Sequence, residues 1–192
     1  MIHEIINKDY SALFSQSSGE NKEQKKFPFS DEEVQTLWEH KEFPFCDLVL
    51  VALYTGLRAK ELLLLENSNI DLDNDTMVGG MKTTAGTNRM VPIHPLIKYI
   101  IIDHYNIDNQ YLFLNERSES MSYDQYLGRF KKIMGFFHMK HSPHETRHTF
   151  ITKAKEVGID DNVIKLIVSH EIRDITEKVY THRNVDELKS EI

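Results

Sequence analysis

Apolar positions recur at helical spacing through most of this chain. Ser30, followed by Asp31, Glu32 and Glu33, predicts a helix over residues 31–40. The serine and the glutamate three positions on can exchange hydrogen bonds with each other's backbone N–H, and the acidic side chains suit the positive end of the helix dipole. Val34, Leu37 and Trp38 then share one face. Residues 47–54 are almost wholly apolar and predict a buried helix that closes at Gly56, where glycine takes a left-handed turn at low cost. A short helix over 60–65 follows. The period then changes to that of strands. Ile70-Asp71-Leu72, Asp73-Asn74-Asp75 and Thr76-Met77-Val78 read as strand, turn, strand. A second turn, Thr84 to Asn88, leads into Arg89-Met90-Val91-Pro92-Ile93. From Pro95 the helical pattern returns, over 95–105, 122–137, 144–156, 160–168 and 173–180. The expected fold class is mostly α with a small antiparallel β-sheet (α+β). Residues 1–27 read as a connector, because Ser15 to Asn21 is polar and patternless and Lys22 to Lys26 is a charged run. A single folded domain is expected over 28–183. A tail over 184–192 carries Val185, Leu188 and Ile192 at helix-like spacing.

Composition narrows the class. The chain has 192 residues, of which 40% are hydrophobic and 28% charged, enough for a core and against wholesale disorder. No apolar run approaches the roughly 20 residues that span a bilayer. The first residues lack the basic start and apolar core of a signal peptide. The single cysteine, Cys46, stands among apolar residues and excludes an intrachain disulfide, so it reads as a buried structural thiol. These features fit a cytoplasmic protein. The net charge of −7 argues against a polyanionic partner, but residues 81–155 carry a surplus of +5 between more acidic flanks. A phosphate-binding face needs such a local surplus.

Five segments hold polar residues that the helix and strand patterns do not explain. In Thr55-Gly56-Leu57-Arg58-Ala59-Lys60-Glu61-Leu62, Arg58 follows an apolar helix and a glycine turn, and Glu61 lies three residues on, close enough on a helix to orient it. Lys82 stands where a strand leaves for a turn. In Pro143-His144-Glu145-Thr146-Arg147-His148, the letters satisfy H-E-x-x-H, in which His144 and His148 would bind zinc and Glu145 would act as base, with Glu156 or Glu171 as third ligand. Arg147 opposes that reading, since it brings a cation beside the metal. Pro143 opposes it too, since it puts His144 on the first turn. The same letters satisfy H-x-x-R-H, with His144 and Arg147 on one helical face converging on a phosphate. His170 ends a predicted helix, and Tyr180 stands ten residues further.

Taken in order, Arg58, Lys82, His144 with Arg147, His170 and Tyr180 resemble the tyrosine recombinase, or phage integrase, family over about residues 28–185. That family has an arginine in T-G-L-R-x-x-E-L, a hairpin lysine, H-x-x-R-H, a later histidine or tryptophan, and a tyrosine near the C-terminus. Two departures are Ser169, where glycine usually precedes the histidine, and Thr146, where leucine is common. Neither removes a charge or the nucleophile. The resemblance implies a tyrosine recombinase catalytic-domain fold over 28–183, and a connector from a missing N-terminal DNA-binding domain over 1–27. It also implies a tail over 184–192 exchanged between protomers of a tetramer on double-stranded DNA, with accessory DNA-bending proteins as further partners. The implied activity is strand cleavage and rejoining without metal or other cofactor. Tyr180 is the implied nucleophile, His144 the base and Lys82 the acid; Arg58, Arg147 and His170 are the implied phosphate ligands. Glu61 and His148 are read as supporting residues. A zinc metallopeptidase, a non-catalytic DNA-binding module and a type IB topoisomerase are the alternatives.

Overall fold

A computed structural model of the chain describes residues 27–79 and 89–168. Helix α1, Asp31–Glu39, opens with the expected capping box: the Ser30 N–H donates to the Glu33 carboxylate at 2.8 Å, and the Glu33 N–H donates to Ser30 Oγ at 3.2 Å. Helix α2, Cys46–Thr55, is the centre of the domain. Leu48, Val49, Leu50, Val51, Ala52 and Leu53 are all buried, so the helix is apolar on every side and needs neighbours all round. It has them in α1, in α4 (Pro95–His104), in α5 (Tyr123–Phe136) and most of all in α6 (Pro143–Glu156). Each fully buried large apolar side chain contributes roughly 1.5–3 kcal/mol, and this one helix supplies five of them. Cys46 is buried among them, its Sγ donating to the Leu37 carbonyl at 3.5 Å, and burial pushes the thiol up to about 12.

Helix α3, Ala59–Leu63, follows the turn after α2. The sheet is three-stranded and antiparallel in the order β1 (Ile70–Asp71), β2 (Thr76–Gly79), β3 (Arg89–Pro92). Its register pairs Ile70 with Met77, Thr76 with Pro92, and Gly79 with Arg89. Helix α7, Asp161–Val168, packs against both β3 and α6. The last strand of the sheet thus meets the end of α7.

Helix and strand assignments from the sequence pattern agree with the structure to within a residue or two. The stretch 105–122, between α4 and α5, follows neither period. It is tied down by Asn67, nearly inaccessible at 1% exposure, whose side-chain amide donates to the carbonyls of Asn109 at 2.9 Å and Tyr111 at 3.0 Å. Backbone bonds between Asn67 and Gln110 and between Leu112 and Leu65 hold it as well, and Leu112 and Phe113 are buried; a segment fixed by such isolated contacts leaves no periodic trace. The helix expected over 173–180, the connector up to residue 26 and the tail over 184–192 lie outside the described residues.

Candidate active site

The site is built where α2 stops. Gly56 takes the left-handed conformation, φ 62°. A Cβ there would come within 2.6 Å of the Phe150 ring and 3.1 Å of the Val168 side chain, so glycine is required by backbone and by space. The close approach brings α6 and the end of α7 onto this turn. Thr55 braces it, its hydroxyl donating to the Val51 carbonyl at 2.8 Å and accepting the Leu57 N–H at 3.3 Å.

Two residues after the glycine, Arg58 begins α3 with extended backbone, and Glu61 lies one turn on. The Glu61 carboxylate turns back to accept the Arg58 N–H at 2.8 Å and the Arg58 guanidinium at 3.0 Å. The same carboxylate receives the fork of Arg89, at 2.9 Å and 2.6 Å. Arg89 Nε donates to the Ile167 carbonyl at 2.7 Å. On α6, Arg147 is 2% exposed. It donates to the Gly56 carbonyl at 2.9 Å and also to the Val168 carbonyl. Two arginines thus grip the successive carbonyls of Ile167 and Val168, the last described residues of α7.

Three guanidiniums therefore gather about one carboxylate. Burial by itself would raise the Glu61 pKa. The Arg89 hydrogen bonds, the Arg58 N–H and the charges of both arginines outweigh burial and hold it at about 2. Arg147 is pulled down to about 10, chiefly by burial and then by Arg58, with Glu61 opposing and Arg89 adding to the effect. It remains charged at neutral pH. Among the described residues one anion does not balance three cations, so the cluster keeps a positive surplus. Arg58 carries that surplus toward solvent, its side chain 44% exposed against 2% for Glu61. A partly exposed cation backed by two buried ones can receive an anion, and the planar guanidinium suits phosphate oxygens.

His144 lies exposed on the first turn of α6, with the His148 ring edge-on to it at 4.8 Å between centroids. Glu145, between them in sequence, has its carboxylate engaged by the Ser142 N–H at the helix start. The same carboxylate stands 3.9 Å from His141 Nδ1. The H-E-x-x-H glutamate is thus a cap for α6 rather than a base aimed with the two histidines. Lys82 falls in the connection between β2 and β3; it, His170 and Tyr180 lie outside the described residues.

Of the residues singled out from sequence, Arg58, Glu61 and Arg147 are brought together, and His144 with His148 stands on the same helix as Arg147. Arg89 was missed. A signal for it exists: it alternates with Val91 and Ile93, so it belongs to the inward face of its strand. A cation in register with two buried aliphatics needs a buried counter-charge.

The fold and the cluster define a class: a mostly helical domain with a small antiparallel sheet that gathers three arginines at the turn after its central helix. Comparison with known proteins makes the class specific. The model of the phage integrase family matches residues 29–187, and the chain belongs to that family. It is similar to the tyrosine recombinase XerA of Pyrococcus furiosus, 31% identical over 154 residues, 76% of this chain and 52% of that protein. It is similar also to the tyrosine recombinase XerC of Bacillus pumilus, 31% identical over 160 residues, 73% of this chain and 50% of that one. The chain spans about half the length of the curated relatives it matches. Among solved structures, a XerA recombinase superposes with a TM-score of 0.68 at 25% identity, over 85% of this chain and 63% of that one. The Tn1549 transposon integrase, solved in complex with circular intermediate DNA, has a TM-score of 0.66 at 20% identity, over 96% of this chain and 69% of its own, and shares the fold.

Proposed function

We propose that this chain is the catalytic part of a site-specific recombinase that cuts and rejoins DNA through a covalent 3′-phosphotyrosyl intermediate at Tyr180. The observation that carries the reading is the Arg58–Glu61–Arg89 cluster with Arg147 beside it, a positive site with one arginine open to solvent.

A phosphodiester repels nucleophiles through its anionic oxygens. Arg58 and Arg147, with hydrogen bonds from His144 and His170, would neutralise that charge and stabilise the pentacoordinate transition state. Loss of one such donor typically costs about 3–4 kcal/mol, roughly 100–1000-fold in rate. The phenolic oxygen of Tyr180 forms the bond to phosphorus as the bond to the 5′ oxygen breaks. The phenolic proton, from a group with an ordinary pKa near ~10, passes to His144. The departing 5′ oxygen takes a proton from Lys82. A 5′ hydroxyl from a second strand then reverses these steps, and the phosphoester energy is conserved without a nucleotide cofactor. His148 supports His144 through their ring contact, and Glu61 orients Arg58. Double-stranded DNA is the substrate. A tetramer on DNA, in which the tail over 184–192 docks on a neighbouring protomer, completes the reading, with DNA-bending proteins as accessory partners. Among the described residues no helix is long and apolar enough to cross a membrane, in keeping with work on DNA in the cytoplasm.

The test uses a pool of nicked duplexes with a randomised core, in which cleavage releases a short fragment and traps the covalent adduct. The chain is expected to form an SDS-stable adduct with a subset of sequences, and Tyr180→Phe to form none. An adduct that persists in Tyr180→Phe overturns the reading.

A further inference from the structure

We propose that Arg89 is a positioning residue for the cleavage reaction: through the Glu61 carboxylate it fixes the exposed Arg58 guanidinium, and through the Ile167 carbonyl it fixes the end of α7 to the same point. The proposal rests on the role given to Arg58 above.

Among the described residues, the Arg58 side chain is held through Glu61. Its side chain is nearly half exposed, and its ion-pair partner is one oxygen of Glu61, at 3.0 Å. That oxygen also receives Arg89 Nη1 at 2.9 Å. The second Glu61 oxygen receives Arg89 Nη2 at 2.6 Å and the Arg58 N–H at 2.8 Å. The forked contact fixes both the position and the plane of the carboxylate, which a single-point donor does not. The acceptor that Arg58 sees is therefore oriented by Arg89, whose own side chain is only 8% exposed and comes from the far end of the sheet connection.

The third Arg89 bond gives the residue its second task. Nε holds the Ile167 carbonyl while Arg147 holds the next one, Val168. Two arginines of the cluster thus hold the last two described carbonyls of α7, those of Ile167 and Val168. Arg89 is also the first residue of β3, paired with Gly79, so it closes the connection that contains Lys82. One side chain links Arg58, the Lys82 connection and the α7 end. A displacement of about 1 Å in such a frame can cost 100-fold in rate with binding untouched.

Two measurements on the full chain test this. The first is the Arg58 Nε–H resonance in an 15N spectrum, compared between wild type and Arg89→Lys, which keeps the charge but not the fork. The resonance is expected to be dispersed in wild type and to move to the position of a mobile arginine in the variant. Arg89→Gln serves as a second route to the same readout should Arg89→Lys fold poorly, and Glu61→Gln marks the position of a released Arg58. The second measurement is the rate of adduct formation at saturating nicked duplex, beside the duplex Kd. Arg89→Lys is expected to lower the rate about 10–100-fold with Kd within about twofold, and to add nothing further in a Glu61→Gln background. An Arg58 resonance that stays in place in folded Arg89→Lys overturns the proposal, whatever it does in Glu61→Gln. So does a rate loss no larger than the unfolded fraction, or full additivity of the two substitutions. Absence of any adduct from the wild-type chain, with the Arg58 resonance released as expected, strikes at the recombinase reading and leaves the tether standing.

Discussion

Substitution of Glu61 by Gln keeps the shape of the side chain and removes its charge, leaving three buried or half-buried guanidiniums around a neutral amide. The cost follows from the carboxylate's displacement. Its ordinary pKa of 4.5 falls to about 2 in the folded chain. That gap corresponds to about 3 kcal/mol of preferential binding of the charged form. Arg58 is partly exposed, so solvent screening takes some of this away, and about 2–3 kcal/mol at pH 7 is expected. The pH dependence has a definite sign. A carboxylate whose folded pKa is depressed stabilises the fold fully above the unfolded value. The stabilisation is lost as the pH falls through the folded value. Wild type should therefore exceed Glu61→Gln by its full margin above about pH 5.5, and the margin should shrink between about pH 4.5 and 2. Urea titration is the assay, because guanidinium chloride would screen the ion pairs under study. The single tryptophan, Trp38, is a built-in reporter, half-buried and hydrogen-bonded to the Tyr54 hydroxyl at 3.0 Å. A difference below about 1 kcal/mol at pH 7, or one that stays constant down to pH 2.5, would refute the assignment of Glu61 as the shared counter-charge.

Two further outcomes are expected. Gly56→Ala places a methyl group 2.6 Å from the Phe150 ring in a left-handed backbone; with about 1–2 kcal/mol for the conformation and about 1–3 for overpacking, the midpoint of thermal unfolding should drop by at least about 5 °C, and a drop under about 2 °C would show that α6 moves aside freely. The Cys46 thiol, pushed up to about 12 by burial, should resist a disulfide reagent at pH 8 in native protein and react in urea; prompt stoichiometric reaction of the native chain would contradict the packing around α2.

The residues whose meaning was legible in the sequence are those whose neighbours along the chain explain them. Ser30 with Glu33 announces a helix start, and the capping box is present. Gly56 after an apolar run announces a helix stop, and the left-handed turn is there. Arg58 and Glu61 are three apart on one helix, so their pairing follows from helical geometry. Arg89 was passed over because its partners are Glu61 and the Ile167 carbonyl, 28 and 78 residues away. Glu145 was open to two readings because letters alone do not say which way a carboxylate turns; it turns back to its own helix start.

The sequence by itself determined the elements, the order of the basic and histidine motifs, and the family they resemble, because helix and strand periods, caps and glycine turns are set by residues a few positions apart. Only the tertiary structure decided that Arg147 is buried with its guanidinium on the Gly56 and Val168 carbonyls, that one carboxylate serves two arginines, and that the cluster opens to solvent through Arg58. Those facts depend on where α6, β3 and the end of α7 meet the turn after α2, a meeting fixed by the close approach at Gly56. Net charge shows the same division. A chain of −7 overall holds a locally positive site because folding brings Arg58, Arg89 and Arg147 together from three elements around a single carboxylate.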